Sequence, residues 1–110
     1  MQITITTPAG QILAKGEIGA EVVKAEGNYY FDKSIVNFEL LKINPLEKYT
    51  CPVKRATCDY YDLLDPTSND IEITEIGWIY EVIENPAFES IVGKIAFFQS
   101  KGLIIETEDN

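Results

Sequence analysis

The residues of this chain best suited to chemistry are a set of aromatic side chains and a lysine in a turn-like segment. Tyrosines occur in the pairs Tyr29-Tyr30 and Tyr60-Tyr61, and Trp78 is followed two positions later by Tyr80. Consecutive strand residues face opposite sides of a sheet, so each pair should place one ring inward and one outward. The rings either fill the core or form a cage for a small planar or partly anionic ligand. The candidate ligand-binding residues are Tyr30, Cys51, Lys54, Tyr61, Trp78 and Tyr80.

Cys51 is the candidate nucleophile in this set. Lys54 and Arg55 follow it closely, and nearby positive charge favours the reactive thiolate form. The alternative is that Cys51 is a small buried hydrophobic residue, which is also the interpretation for Cys58. For Lys54-Arg55 itself, a solvated turn and a contact for a small anion both remain open.

Histidine is absent from the sequence, which removes the commonest general base and metal ligand. Ser-His-Asp and Cys-His hydrolases are therefore excluded. Two cysteines cannot close a four-ligand zinc site in one chain, and EF-hand, P-loop and Gly-x-Gly-x-x-Gly motifs are missing. We therefore expect no metal and no cofactor. Asp59 and Asp62 could share acid–base work, but solvated faces often carry such pairs, so no catalytic residue is assigned.

The composition predicts one soluble globular domain over residues 1–110. The 18 acidic and 9 basic residues give a net charge of −9, which disfavours nucleic acid and acidic membranes as partners. No apolar run is long enough to span a bilayer, and the start Met1-Gln2-Ile3-Thr4 lacks the features of a signal peptide. Two cysteines are too few for a disulfide scaffold, so we expect reduced thiols and a cytoplasmic location. We expect the protein to be a monomer or a weak homodimer.

Alternating β-branched and aromatic residues between turn formers predict about eight short strands. Gln2 to Thr7 and Gln11 to Lys15 form a hairpin, and Gly27-Asn28 forms a second turn. The clearest loop is Asp65 to Asp70, and Glu106 to Asn110 is predicted to be a frayed tail. The other predicted strands cover residues 22–25, 29–31, 56–64, 71–83 in one or two pieces around Gly77, 95–98 and 103–105.

The segment Ser34 to Ile43 fits both a helical and a strand pattern. Ser34 as an N-cap favours a short helix, which Asn44-Pro45 would end. A turn or a single helical turn is expected from Pro86 to Ile91. The predicted fold class is mainly β, a small single-domain folded-over antiparallel sheet with one or two short helices.

Several short motifs occur along the chain in a specific order. They are Glu26-Gly27-Asn28-Tyr29-Tyr30-Phe31, Ser34 with an apolar segment to Leu41, Thr50-Cys51-Pro52 with Lys54, Tyr60-Tyr61-Asp62, Trp78 with Tyr80, and Pro86 leading to Ile91 and Ile95-Ala96-Phe97. In this order, from about Gly10 to Glu108, they resemble the bacterial domain-of-unknown-function family 427. The resemblance implies a fold of the β-tent type, related in architecture to the cereblon ligand-binding domain, and a pocket walled by aromatic side chains.

The family that this chain resembles also carries a nucleotidyltransferase label, which the residues here do not support. That activity would need a metal-binding carboxylate pair and a phosphate cradle, and neither can be placed in this sequence. The chain also departs from the family at Asp32, Val53 and Arg55, where members commonly carry proline, an aromatic residue and glycine, and it has one extra residue before Tyr60. These differences alter the Cys-Pro-x-Lys turn.

Three functional hypotheses follow. The first is a binding domain of unknown role that holds a small molecule in an aromatic pocket. The second is a transferase-like enzyme acting on a nucleotide or another small anion. The third is a protein-interaction module that uses an exposed β edge.

Overall fold

Nine strands form two antiparallel sheets within residues 1–109, the part of the chain that this computed structural model describes. The strands are β1 (Gln2–Thr6), β2 (Ile12–Glu17), β3 (Val22–Ala25), β4 (Asn28–Phe31), β5 (Leu41–Cys51), β6 (Ala56–Leu64), β7 (Ile71–Ile79), β8 (Ile95–Phe97) and β9 (Ile104–Glu108). Short 3-10 helices lie at Lys33–Ile35, Phe38–Leu40, Pro86–Ile91 and Gln99–Lys101. None of the described helices has the length and apolar character that a membrane crossing requires. The mainly β fold class is confirmed.

The larger sheet has the strand order β3-β4-β8-β7-β6-β5, and the smaller sheet has the order β2-β1-β9. β3 and β4 are joined by Glu26 and Gly27, whose φ angles of 52° and 79° are both positive. Positive φ at both central residues defines a type I′ hairpin turn, whose twist matches that of the flanking strands. The predicted turn at this position is therefore confirmed, one residue earlier than expected. β5 and β6 are joined by residues 52–55.

The six-stranded sheet has two different faces because side chains alternate along its strands. One face packs against the three-stranded sheet and forms the main core, in which Phe31, Leu63 and Ile79 meet Ile3 and Leu13. The opposite face carries a second apolar cluster, which the Pro86–Ile91 helix covers in part. That cluster contains Tyr30, Cys51, Ala56, Cys58, Tyr80, Ile91 and Ala96.

Strand β7 bulges opposite Asp62, where three of its residues stand against one residue of β6. The buried Asp62 carboxylate accepts hydrogen bonds from the backbone N–H of Glu75 at 2.8 Å and from Nδ2 of Asn44 at 3.3 Å. Lys101 Nζ donates to the carbonyl oxygens of Thr74 and Glu75 at 3.1 and 3.0 Å. The side chains of Asp62 and Lys101 therefore supply partners for the polar groups of the bulge, and Asn44 supports Asp62.

Strand β5 continues through Asn44-Pro45, where the sequence pattern predicted that an element would end. Three residues starting at Pro45 bulge out between the pairs Asn44–Tyr60 and Lys48–Asp59. β5 is an edge strand of the large sheet, so a proline there removes no necessary ladder hydrogen bond. The chain consequently stays in the sheet as far as Cys51.

The single helix predicted for Ser34 to Ile43 is replaced by two separate 3-10 helices. Asp32 and Asn37 cap them, each accepting a backbone hydrogen bond two residues ahead. Between them Val36 is extended and bridges Ala14, so a continuous helix cannot form. The strand alternative is correct only from Leu41 onward.

The C-terminal segment differs from the predicted frayed tail. Glu106 to Glu108 belong to β9, which pairs with β1 along its whole length from Ile104 to Glu108. Asn110 lies outside the described residues. The polar composition of this segment reflects an exposed strand face, because Ile105 still packs against the main core.

Replacing Asp62 with alanine should destabilise the fold, since the N–H of Glu75 and the amide of Asn44 would lose their acceptor. A buried donor left without a partner costs about 1–3 kcal/mol. The matched control is Asp59→Ala on the same strand, which removes an exposed ion pair with Lys48 and should cost about 0–1 kcal/mol. Urea unfolding followed by the fluorescence of Trp78 measures both values. Equal costs for the two variants would contradict this account of the bulge.

Candidate functional site

A cavity of about 680 Å³ opens on the second face of the large sheet. Its walls come from strands β4 to β8 and from the segment that follows β8, and its rim includes the β3–β4 hairpin turn. The lining residues are Glu26, Gly27, Asn28, Tyr30, Tyr49, Cys51, Lys54, Cys58, Tyr60, Trp78, Tyr80, Phe97, Phe98, Gln99 and Ser100.

Aromatic rings form one wall of this cavity. Trp78 is half-buried, and its indole Nε1 donates a hydrogen bond of 3.3 Å to the hydroxyl of the buried Tyr30, with the two rings edge to face at 6.2 Å. Phe98 lies 4.5 Å from the Trp78 ring and stacks with Tyr60 at 6.3 Å. The hydrogen bond and ring contacts fix the orientation of Trp78, so its face is a preformed surface for a planar group.

Lys54 brings a positive charge into this aromatic surface. The residue is buried, and its ammonium donates to the carboxylate of Glu26 and lies 3.8 Å from Cys51 Sγ. The same ammonium sits over the rings of Tyr80 at 5.4 Å and Phe88 at 4.8 Å, which is cation–π geometry. An ammonium can be buried here because a carboxylate and two ring faces replace its water.

The backbone around Lys54 is fixed by the loop that precedes the Pro86–Ile91 helix. Asn85 N donates to the carbonyl of Lys54 at 3.2 Å, and Asn85 Nδ2 donates to the carbonyl of Val53 at 2.9 Å. The Asn85 side chain also caps the helix by accepting from Ala87 N. One asparagine therefore ties the helix start to the backbone of the lysine turn, from which the Lys54 side chain extends.

Electrostatics hold Lys54 charged and the surrounding phenols neutral. Burial disfavours the ammonium, but the hydrogen bond and charge of Glu26 outweigh burial and raise the pKa of Lys54 above its usual value. Burial raises the pKa of Tyr30 and Tyr80, and it raises the pKa of Tyr60 to about 12. At neutral pH the cavity therefore holds one cation, one exposed carboxylate and several neutral hydroxyl groups.

Five of the six predicted site residues meet in the cavity: Tyr30, Cys51, Lys54, Trp78 and Tyr80. The sixth, Tyr61, points to the other face of the sheet, where its ring meets Phe38 at 5.9 Å beside the main core. Its neighbour Tyr60 lines the cavity instead. Each tyrosine pair is thus split between the two faces as predicted, but the cavity-facing ring of the second pair is the first tyrosine.

The solvated-turn interpretation of Lys54-Arg55 holds only for Arg55, which is exposed, whereas Lys54 is buried. Sequence reasoning did not select Glu26, Tyr60 or Phe98 as site residues. For Tyr60 the sequence carried half of the signal, because strand alternation places Tyr60 and Tyr61 on opposite faces of the sheet without showing which face holds the cavity. Glu26 and Phe98 had no comparable local signal, since their role depends on contacts between distant segments.

The two cysteines and the acidic residues of strand β6 occupy different environments. Cys51 and Cys58 are both free and buried, and burial raises the pKa of Cys58. Asp62 accepts a hydrogen bond from the β7 bulge, and Asp59 forms an ion pair with Lys48. Neither of these carboxylates is among the residues that line the cavity. Within residues 1–109 no group of three potential ligands is placed to hold a metal ion. The cavity thus offers its shape, its ring faces and the ion pair of Lys54 with Glu26.

No curated protein matches this sequence. Residues 2–108 match the family described as Domain of unknown function (DUF427), which is nearly the whole chain. The match extends further towards the N-terminus than the resemblance read from the motifs, and it includes every residue that lines the cavity. The chain therefore belongs to this family of unknown function, Domain of unknown function (DUF427).

Proposed function

We propose that this protein is a binding domain that holds a small planar molecule in the aromatic cavity on the large sheet. The observation that supports the proposal most is the joint placement of the Trp78 ring face and the Lys54 ammonium in one cavity of about 680 Å³. Pockets for small molecules are typically about 300–1,000 Å³, largely apolar, with a few placed polar groups. The volume of the cavity lies within this range, and its lining combines aromatic rings with a few polar groups.

The aromatic wall would supply most of the binding free energy. A planar ligand against Trp78 and Phe98 would bury apolar surface at about 25 cal/mol per Å² and would gain ring–ring contact in addition. Lys54 would then orient the ligand, because its ammonium lies over two rings and the backbone that carries it is anchored by Asn85. A ligand with a hydrogen-bond acceptor or an anionic group at one end fits this arrangement.

The charge of the cavity favours binding of such a ligand over nucleotide transfer. Among the described residues that line the cavity, Lys54 is the only lysine or arginine. Phosphoryl transfer depends on several cationic groups around the phosphates, which one lysine already paired with Glu26 does not provide. The proposal therefore assigns the cavity a binding role.

The proposal also covers the location, the partners and the assembly of the protein. The two thiols Cys51 and Cys58 are unpaired, which supports a reducing, cytoplasmic environment. The net charge of −9 supports a partner that is neither nucleic acid nor an acidic membrane. A monomer or weak homodimer with a small-molecule ligand is the assembly we propose.

Screening a library of planar metabolites against Trp78 fluorescence and thermal unfolding tests the proposal. We expect Lys54→Met to weaken the binding of a hit that carries an acceptor group by about 10- to 150-fold, because a charged hydrogen bond contributes about 1.5–3 kcal/mol. The matched control is Lys48→Met, which removes an exposed lysine outside this cavity and should leave affinity unchanged. Absence of any hit in both readouts would overturn the proposal.

Substitutions at Trp78 and at its neighbour Ile79 distinguish a residue of the cavity wall from a residue of the core. Trp78→Ala should fold and lose ligand binding, since the ring is half-buried and lines the cavity. Ile79→Ala, one position along on the opposite face and fully buried, should cost about 2–5 kcal/mol of stability. Calorimetry measures binding without the tryptophan signal. A Trp78→Ala protein that unfolds would instead make Trp78 a core residue.

Alkaline pH should destabilise the domain. Lys54, Tyr30, Tyr60 and Tyr80 all have raised pKa values, so the folded state keeps protons that the unfolded chain releases. Their stabilising contribution is complete below the unfolded values of 10.0 for tyrosine and 10.5 for lysine, and it is lost as pH rises towards the folded values. Unfolding free energies at increasing pH should fall, and Tyr60→Phe should reduce the slope. A flat profile beyond the unfolded values would contradict the assigned shifts.

A further inference from the structure

The ion pair between Glu26 and Lys54 is unequal in its surroundings. The Lys54 side chain is 7% exposed, whereas that of Glu26 is 46% exposed. Glu26 lies at the tip of the β3–β4 hairpin, on the rim of the cavity. A carboxylate that is half in water leaves its partner at little cost, while a buried ammonium must keep an acceptor.

Lys54 is fixed and Glu26 is replaceable. The lysine is held by Asn85 through the backbone and by the rings of Tyr80 and Phe88 around its ammonium. Glu26 reaches the same ammonium from a two-residue turn whose backbone carries no hydrogen bond to the lysine turn among the contacts of the described residues. Exchange of the acceptor can therefore occur without moving the cavity wall.

The charge available in the cavity defines the acceptor that can take the place of Glu26. One ammonium compensates one negative charge, and the lining residues provide no second cation. A carboxylate carries one charge and has the same geometry as the group already bound to Lys54. A phosphate monoester carries about −1.5 to −2 charges at neutral pH and would leave charge unpaired in an acidic protein.

We propose that Glu26 occupies the place of a ligand carboxylate on Lys54, and that the cavity takes planar aromatic carboxylic acids by exchanging the Glu26 carboxylate for that of the ligand. This inference rests on the proposed binding function and names its ligand class. Glu26 then acts as an internal competitor that sets specificity, because only a carboxylate held in addition by the aromatic wall displaces it. The ring of the ligand lies against Trp78 while its carboxylate accepts from Lys54.

Acetate is the probe that tests the exchange without an aromatic ligand. In Glu26→Gln the Lys54 ammonium loses its anionic partner, so acetate should bind there and raise the melting temperature in proportion to its concentration. Wild type should not respond, because Glu26 fills the position. The matched control is Glu81→Gln, which breaks the exposed ion pair with Lys33. The double variant Glu26→Gln/Lys54→Met should also lose the acetate response.

A second variant at Glu26 controls for a folding defect in the hairpin. Glu26→Asn creates an Asn-Gly type I′ turn, which is the most favourable two-residue hairpin connection, and it also removes the charge. Both Glu26 variants should bind benzoate about fivefold to tenfold more tightly than wild type, since the internal competitor is gone. Benzamide, which has the same ring and no charge, should bind all three proteins equally.

The outcomes separate the two proposals. If acetate stabilises neither Glu26 variant beyond the effect on Glu81→Gln, the exchange is overturned, while binding of uncharged planar hits would keep the proposed function. If benzoate binds wild type and both Glu26 variants equally, Glu26 is not a competitor and the inference fails. If acetate stabilises the Glu26 variants but no planar compound binds any of the proteins, the anion position is supported and the aromatic binding function fails.

Discussion

The alternation of side chains along the large sheet is the constraint on which both the core and the cavity depend. In β4, Tyr30 and Phe31 are adjacent in sequence, yet one lines the cavity and the other is buried in the main core. The same alternation separates Trp78 from Ile79 in β7. Because the period of a strand is two residues, a one-residue slip would turn the cavity-facing side chains of that strand towards the core and its core-facing side chains towards the cavity. Register is therefore as important for the cavity as the identity of the rings.

The register in turn depends on irregularities in β5 and β7. Both strands contain extra residues relative to β6, and without them Asn44 and Lys48 could not pair with the adjacent residues Tyr60 and Asp59. Bulges bend and twist a sheet locally, and they also change which residues face each other across it. Asp62 and Lys101 supply the polar partners that the β7 bulge needs. A carboxylate that sequence reasoning weighed for catalysis thus has a structural role in shaping the sheet.

Much of the fold was predictable from the sequence because strand period and turn chemistry are local signals. The hairpins of β1–β2 and β3–β4, the strand from Ala56 to Leu64 and the loop after it all follow from patterns within a few residues. The choice between helix and strand near Ser34 was not local, since Val36 is held extended by a bridge to Ala14 in β2. Polar residues after Ile105 gave a signal for fraying, whereas pairing with β1 keeps them in a strand.

The candidate site, like the fold, was predictable from the sequence only in part. Parity along a strand identified Trp78 and Tyr80 as neighbours on one face, but it could not decide between Tyr60 and Tyr61. That decision depends on which face the three-stranded sheet covers, and this is a tertiary property. The burial of Lys54 was also hidden, because the rings around its ammonium belong to Tyr80, just after β7, and to Phe88 in the Pro86–Ile91 helix, both distant in sequence from the lysine turn.

The backbone at the rim supports a specific role for the charge of Glu26. A non-glycine residue with positive φ costs about 1–2 kcal/mol unless its side chain helps locally, and asparagine is the residue that type I′ turns favour at this position. Glu26 has a φ of 52° and its carboxylate points across the cavity rim to Lys54. Arg55, directly after Lys54, also has a φ of 52°, so both turns that meet at the ion pair hold a charged residue in an unfavourable conformation. Strain of this kind persists where the surrounding structure requires it, as at Glu75 in the β7 bulge, which also has a φ of 52°, and at the two turns that meet at the ion pair. The turn sequence is therefore better explained by the position of the carboxylate than by the stability of the hairpin.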